Sequence, residues 1–185
     1  MKLDPARRHR RSIRLQVHDY AAPGAYAVTF CTHQRECWLA SVEGTGAVAT
    51  EMGAVVEDHL RSLRRWFPLA HVDTFVVMPN HVHAIIVIRA GQTQPSNDVR
   101  AQELRGSRPR SIPAIVQNVK SVFARRIHAL RGTPGAPVWQ RDYYERVLRE
   151  NEVEHARAYI AANPARWNKD AHNPLSDDIE TDRQV

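Results

Sequence analysis

Residues 72–88 read Val-Asp-Thr-Phe-Val-Val-Met-Pro-Asn-His-Val-His-Ala-Ile-Ile-Val-Ile, and they carry the strongest structural signal in the chain. Two runs rich in β-branched residues, 72–78 and 82–88, flank Pro79 and Asn80, which predict a turn or bulge. In the second run both alternating sets of positions are apolar. This pattern is typical of a central strand that is covered on both faces.

The pair His81 and His83 follows the predicted break at once. Side chains two residues apart on a strand point to the same face, so the two imidazoles can share one divalent metal ion. A metal held on a rigid strand can polarise a phosphate. Two histidines on a strand can also simply line a core, and the pair alone does not separate these roles.

The other elements are predicted from the spacing of apolar and turn residues. Asn151 and Glu154 have the spacing of a capping box at the start of the last helix, and Pro164 stops that helix. The polar stretch 91–109 predicts a loop that can order on binding. The predicted elements are a strand over 25–32, helices over 50–66, 111–130 and 152–163, and an edge strand or extended segment within 138–148.

Length and composition fit one domain with a sizeable core. The chain has 185 residues, of which 43% are hydrophobic and 25% charged, as in ordinary globular proteins. No apolar run approaches the roughly 20 residues of a membrane helix, and no apolar segment follows the basic start, as a secretory signal would require. Cys31 and Cys37 are too few for a disulfide framework or a zinc knuckle. We therefore expect a reducing, cytoplasmic setting.

Charge is distributed unevenly along the chain. The net charge is +6, although the last residues are acidic, with Asp177, Asp178, Glu180 and Asp182 against Arg183 alone. A basic body favours a polyanionic partner such as nucleic acid. We expect a basic flexible arm over 1–14, a folded domain over 15–168 and an acidic, disordered tail over 169–185. The arm could equally be a solvated terminus.

The last predicted helix carries a second group of polar side chains. Tyr159 and Asn163 are one helical turn apart, so a phenol and an amide oxygen can point at the same small volume. If this helix packs across the strand of His81 and His83, the site gains a nucleophile and a third metal ligand. Two imidazoles and one amide oxygen suit Mg²⁺ or Mn²⁺ better than a closed zinc site. An amphipathic helix with a half-buried tyrosine is the alternative.

Taken together, these residues resemble the single-tyrosine HUH transposases, most closely the branch of REP-associated tyrosine transposases. The resemblance covers roughly residues 12–167. Its most specific parts are Met-Pro-Asn-His-Val-His at 78–83 and Tyr-Ile-Ala-Ala-Asn-Pro at 159–164, joined in one chain. The strings Trp-Gln-Arg-Asp-Tyr-Tyr at 139–144 and Lys-Ser at 120–121 also match.

The resemblance implies an α+β fold, ferredoxin-like (RRM-like), with an antiparallel sheet and helices packed on it. It implies metal-dependent nicking and rejoining of single-stranded DNA at hairpin-flanked repeats, through a 5′-phosphotyrosine intermediate. His81 and His83 match the HUH positions and Tyr159 the nucleophile. Asn163 matches the third ligand of a Mg²⁺ or Mn²⁺ ion. The enzyme would act as a monomer or a homodimer.

Several roles stay open at this point. Tyr143 and Tyr144 compete with Tyr159 as nucleophiles, although neither has a metal-capable residue at helical spacing. Gln140 or Asp142 could contribute to the site, and His155 could help to remove the tyrosine proton. We expect DNA contacts from a wider set of basic and aromatic residues: Arg10, Arg11, Arg14, Lys120, Arg125, Trp139, Arg141 and Tyr143.

Two other functions remain compatible with the sequence. The domain could be a domesticated, non-catalytic module that binds single-stranded nucleic acid, since RRM-like sheets commonly do so. A metal-dependent hydrolase could also use a His-x-His pair, with water in place of the tyrosine. A hydrolase would release a free 5′-phosphate, whereas a tyrosine nucleophile stays linked to the DNA.

Overall fold

The computed structural model describes residues 18–91, 110–174 and 176. Regular structure takes up most of this part of the chain. Its strands are Gly24–Cys31 (β1), Ala40–Glu43 (β2), Gly46–Ala49 (β3), Ala70–Val77 (β4), His81–Ile88 (β5) and Tyr144–Leu148 (β6). Its α-helices are Glu51–Arg61 (α1), Ile112–Arg131 (α2) and Glu150–Ala162 (α3).

Four strands form one antiparallel sheet in the order β4-β5-β1-β6. Apart from the β2–β3 hairpin, the chain runs strand, helix, strand, strand, helix, strand, which is the ferredoxin-like arrangement. The structure therefore confirms the predicted α+β fold with helices packed on an antiparallel sheet. The short hairpin β2–β3 was not predicted.

β5 is a central strand, paired with β4 on one side and β1 on the other. Its Val82, Ala84 and Ile86 join the larger core, beneath α1 and α2. Its opposite face carries His81, His83 and Ile85, and there Ile85 packs with Ile160 of α3 in a second, smaller cluster. The predicted two-sided burial of this strand is confirmed, and the histidines lie on the α3 side.

The ends of the helices follow capping chemistry. The Thr50 side chain accepts a hydrogen bond from the backbone N–H of Gly53 at the start of α1. The Ser111 side chain accepts one from the backbone N–H of Ala114 at the start of α2. Gly132 ends α2 in the left-handed conformation, with φ of 62°. The first helix was predicted to reach residue 66, but α1 ends at Arg61 and a short 3-10 segment follows.

The predicted capping box of α3 was wrong. The helix begins two residues earlier than predicted, because β6 ends at Leu148 and the chain turns directly into the helix. Arg149 occupies the N-cap, and the carboxylate of Glu152 accepts its backbone N–H at 2.8 Å. Asn151 and Glu154 therefore lie inside the helix rather than at its boundary.

Strand β4 contains a bulge at Asp73. Its register with β5 changes from Val72 opposite Ile86 to Thr74 opposite Ile85, which leaves Asp73 as an extra residue. The bulge lies on an outer strand of the sheet, beside α3. The side chain of Asp73 contacts that helix.

The predicted division into arm, domain and tail stays a prediction. The arm and nearly all of the 91–109 loop lie outside the described residues, as does most of the tail. Among the described residues of the predicted tail, Asp170 and His172 lie against His81. Among the described helices, none combines the length and the apolar character needed to cross a membrane.

Candidate active site

The two histidines of β5 form the centre of the site. The centroids of the His81 and His83 rings are 4.7 Å apart, with the ring planes at 80°. His81 is fully buried and His83 is nearly so. Such a buried pair needs defined partners for its ring nitrogens, because an unpaired polar atom in the interior is costly.

Asn80 fixes the protonation of His81. Its Nδ2 donates hydrogen bonds to the carbonyl oxygens of Arg35, at 3.0 Å, and His172, at 2.7 Å. Its Oδ1, at 2.9 Å from Nδ1 of His81, must therefore accept a hydrogen bond. The proton of the neutral imidazole thus lies on Nδ1, and Nε2 of His81 keeps its lone pair.

His83 is oriented in the same way from β1. Its Nδ1 lies 2.6 Å from the hydroxyl oxygen of Thr29, so a proton on Nδ1 can be donated to that oxygen. Nε2 of His81 and Nε2 of His83 are both buried and have no hydrogen-bond partner among the described residues. Each ring thus has a free Nε2 lone pair and an Nδ1 held by a hydrogen bond. Two such lone pairs directed into the same space fit the coordination of a divalent metal.

Burial keeps both histidines neutral. It lowers the pKa of His81 to about 2, and the neighbouring His83, His172 and Arg35 lower it further. Burial also lowers the pKa of His83 to about 4, although Asp170 acts in the opposite direction. Neutral imidazoles are the form that binds metal, so the pair is ready to coordinate at neutral pH.

Two residues of the site, Asp170 and His172, were not predicted from the sequence. A carboxylate oxygen of Asp170 lies 3.8 Å from Nε2 of His81, and His81, His83 and Asp170 form a group that could hold a metal ion. The ring of His172 lies 4.7 Å from that of His81. No local pattern linked these residues to the strand, because they lie about ninety positions away and were assigned to the tail.

The structure brings Tyr159 to the histidine pair. Its ring centroid lies 5.6 Å from that of His83, at 77°, and its side chain is 47% exposed. Asn163 is buried, and its Nδ2 donates to the carbonyl oxygen of Tyr159 at 3.2 Å. A buried histidine pair therefore lies next to a half-exposed phenol.

Lys120 and Tyr143 are engaged within the protein. The ammonium of Lys120 donates to the carbonyl oxygens of Gln140, Arg141 and Asp142, at 2.9, 3.3 and 3.1 Å, and lies over the Tyr143 ring at 5.4 Å. Burial lowers the pKa of Lys120 to about 8. Lys120 thus holds the loop that precedes β6, which the sequence analysis had not anticipated.

The six other predicted DNA contacts fall into three groups. Trp139 is only 9% exposed and packs on Phe30 and Trp38, so it has little surface for a base and we leave it out of the proposed interface. Arg125 and Arg141 are exposed on α2 and on the loop before β6. The remaining three, Arg10, Arg11 and Arg14, lie outside the described residues.

The competing nucleophiles occupy different surroundings. The hydroxyl of Tyr143 donates to the carboxylate of Glu145 at 2.9 Å. Tyr144 is 42% exposed on β6. Tyr159 is the tyrosine whose ring contacts a histidine of the pair, and His155 is exposed one turn before it on α3.

Comparison with solved structures shows a transposase-like fold. A REP-associated tyrosine transposase bound to a REP hairpin superposes with a TM-score of 0.53 at 18% identity, over 80% of this chain and 71% of that one. A putative transposase from Deinococcus radiodurans R1 has a TM-score of 0.47 at 20% identity, over 77% and 92% of the two chains. The class is an α+β domain with a transposase-like fold.

A relative in sequence defines the family. The chain is 32% identical over 167 residues to an uncharacterised protein of Haemophilus influenzae (strain Rd KW20), an alignment that covers 88% of this chain and 92% of the relative. The chain belongs to the same family as that protein. No family model matches the sequence.

Proposed function

We propose that this protein nicks and rejoins single-stranded DNA beside hairpins, with Tyr159 as the nucleophile. The observation that carries the proposal is the contact between the exposed Tyr159 ring and the buried His83, whose partner His81 offers a second unpaired Nε2. The fold shared with a transposase that was solved bound to a REP hairpin supports this proposal. So does the Met-Pro-Asn-His-Val-His string that contains both histidines.

His81 and His83 would hold the metal, with Asn163 or Asp170 as a third ligand. Imidazole nitrogens with amide or carboxylate oxygen suit Mg²⁺ or Mn²⁺, and an incomplete ligand set leaves positions open for substrate. When bound, such an ion neutralises negative charge that develops on a phosphate. Both elements of the site, β5 and α3, belong to one chain, so we propose that a monomer is competent.

The chemical step exchanges one phosphodiester for another. The phenol oxygen of Tyr159 attacks phosphorus as the bond to the 3′ oxygen breaks, and the departing oxygen takes up a proton to become a 3′-hydroxyl. The phenol proton passes to solvent, which reaches the half-exposed side chain, or to the exposed His155. The product is a 5′-phosphotyrosine, which preserves the energy of the broken bond.

Rejoining reverses these steps. A 3′-hydroxyl attacks the phosphotyrosine, the bond from phosphorus to the Tyr159 oxygen breaks, and the phenol recovers its proton. No nucleotide cofactor is needed, because the number of phosphate ester bonds is unchanged. The same site therefore serves cleavage and ligation.

The decisive experiment looks for a protein–DNA adduct. The full chain is incubated with Mn²⁺ and a library of hairpin oligonucleotides that have randomised single-stranded flanks, and adducts are separated on a denaturing gel. A 3′-end label should migrate with the protein, whereas a 5′-end label should appear in a shorter free strand. Tyr159→Phe should abolish the adduct and retain DNA binding, with Tyr20→Phe as the matched control.

Other outcomes of this experiment identify the alternatives. Binding of the hairpins without any cleavage in the wild-type chain supports a non-catalytic DNA-binding module. A shorter strand with a free 5′-phosphate and no attached protein indicates hydrolysis by water. Adducts that persist in Tyr159→Phe refute the choice of this tyrosine.

A further inference from the structure

Tyr144 lies on the same face of the sheet as the histidine pair. It stands opposite Thr29 in the β1–β6 ladder, and Thr29 stands opposite His83 in the β1–β5 ladder. Directly opposed residues of an antiparallel pair point to the same face, and the contact between the Thr29 hydroxyl and His83 shows which face this is. Two inter-strand spacings of about 4.8 Å place Tyr144 roughly 10 Å from His83 along the sheet.

This corner of the sheet is not covered by α3. The helix starts directly after β6 and covers Leu148, which is 8% exposed at the far end of that strand. Tyr144, at the near end, is 42% exposed. Its hydroxyl makes no hydrogen bond within the described part of the chain. An accessible ring whose hydroxyl has no partner among the described residues therefore lies beside the candidate site, on the face of the sheet that carries the histidine pair.

The surroundings of Tyr144 suit a nucleic-acid strand. Arg141 is exposed on the loop before the strand. Arg146 projects from the same face two residues further along β6, where it pairs with Glu152 of α3. A strand whose phosphate lies between His83 and Tyr159 has neighbouring nucleotides within reach of this corner. Exposed aromatic rings beside basic side chains are the usual platform for unpaired bases.

We propose that the Tyr144 ring stacks an unpaired base of the DNA strand next to the scissile phosphate. This inference rests on the proposed function and adds to it a binding site for single-stranded DNA. Stacking uses the face of the ring and not the hydroxyl. The role therefore differs from that of a nucleophile, for which Tyr144 was a candidate, and the two roles predict opposite behaviour of Tyr144→Phe.

The test measures binding and cleavage separately. Binding of a fluorescent oligothymidylate and of a blunt duplex is measured by anisotropy for full-length wild type, Tyr144→Ala, Tyr144→Phe and Trp66→Ala. Trp66 is a matched control because it is exposed but lies in the segment between α1 and β4. Loss of one stacked base should weaken single-strand binding by Tyr144→Ala about 5- to 150-fold. Tyr144→Phe and Trp66→Ala should bind like wild type, and duplex binding should not change.

The cleavage assay distinguishes this proposal from the proposed function. Tyr144→Phe should form the covalent adduct at the wild-type rate, and Tyr144→Ala should need more DNA for half-maximal rate with little change in the maximal rate. The stacking role of Tyr144 is refuted if Tyr144→Ala binds single strands like wild type, or if Tyr144→Phe binds them as weakly as Tyr144→Ala. If the wild type binds single strands through Tyr144 but forms no adduct, the stacking surface stands and the nicking reaction does not.

Discussion

Asp73 and Arg157 form a bidentate ion pair that joins the bulge of β4 to α3. Nε of Arg157 lies 2.8 Å from one carboxylate oxygen of Asp73, and Nη2 lies 2.7 Å from the other. The hydrogen bonds from Arg157 lower the pKa of Asp73. At the opposite edge of the sheet, Glu152 of α3 pairs with Arg146 of β6. Because Ile160 is the only buried side chain of α3, these pairs add to a small apolar contact in positioning the helix.

We expect Asp73→Asn to slow cleavage without weakening DNA binding. Arg157 is two residues from Tyr159, and a displacement of the nucleophile by about 1 Å can cost up to about 100-fold in rate. Single-turnover cleavage should therefore fall by about 10- to 100-fold. Hydrogen exchange of the α3 amides should also become faster. The control is Glu57→Gln, which removes the ion pair between Glu57 and Arg61 of α1. A cleavage rate for Asp73→Asn equal to that of the control would contradict the positioning role.

Thr29→Val should weaken metal binding. Valine keeps the shape of threonine but removes the oxygen that pairs with Nδ1 of His83. Loss of such a partner of a metal-binding histidine typically costs about 10- to 100-fold in affinity. Titration calorimetry with Mn²⁺ measures this loss, and Thr74→Val on β4 is the matched control. Equal affinities of the two variants would show that Thr29 does not orient His83.

Acid should destabilise the metal-free protein through the same histidines. Their folded-state pKa values, about 2 for His81 and about 4 for His83, lie below the ordinary histidine pKa of 6.5. Below pH 6.5 the two histidines are therefore protonated in the unfolded chain but stay neutral in the native state. The free energy of unfolding consequently decreases as the pH falls toward 4. Each histidine contributes a slope of about 1.4 kcal/mol per pH unit in this window.

Urea unfolding in EDTA across this pH range measures the slope. The double variant His81→Gln/His83→Gln should show a shallower dependence of the unfolding free energy on pH. Other buried histidines, such as His59, also have a pKa lowered by burial, so part of the dependence should remain. A slope unchanged in the double variant would mean that the pair is protonated in the native state.

Gly53→Ala should destabilise the fold. A Cβ at Gly53 would overlap the carbonyl oxygen of Leu39, whose backbone N–H donates to the carbonyl of Pro79, next to the site. Alanine gains about 1 kcal/mol of helix propensity, but a backbone clash of this kind outweighs that gain, and we expect a net loss of about 1–3 kcal/mol. Gly46→Ala, where a Cβ has space, is the control in thermal and urea unfolding. A Gly53→Ala protein as stable as wild type would show that Leu39 can shift.

The sequence was sufficient for the parts of the fold that depend on periodicity. The alternation in 82–88 predicted a central strand with the histidines on one face, and the register of β5 confirms it. Tyr159 and Asn163 were predicted to approach that strand, and the structure places the tyrosine ring against His83. The first result follows from local geometry, which fixes which side chains share a face, whereas the approach of the last helix was expected only from the resemblance to HUH transposases.

Contacts between segments distant in sequence could not be predicted in this way. Asn80 was seen only as a turn residue, although its amide sets the tautomer of His81. Asp170 was placed in a solvated tail because acidic residues follow it. Trp139 was expected to contact DNA, since composition does not show whether an aromatic ring is buried. Each of these assignments depends on tertiary packing, which leaves no periodic signal.

The bulge at Asp73 is not needed by the sheet itself and serves only the proposed reaction. Without Asp73, β4 and β5 could pair in an uninterrupted ladder, so the sheet does not need this residue. The extra residue supplies a carboxylate next to the helix that carries the tyrosine. A deletion at this point is therefore expected to leave the sheet intact and to remove the contact that positions Tyr159 for the proposed reaction.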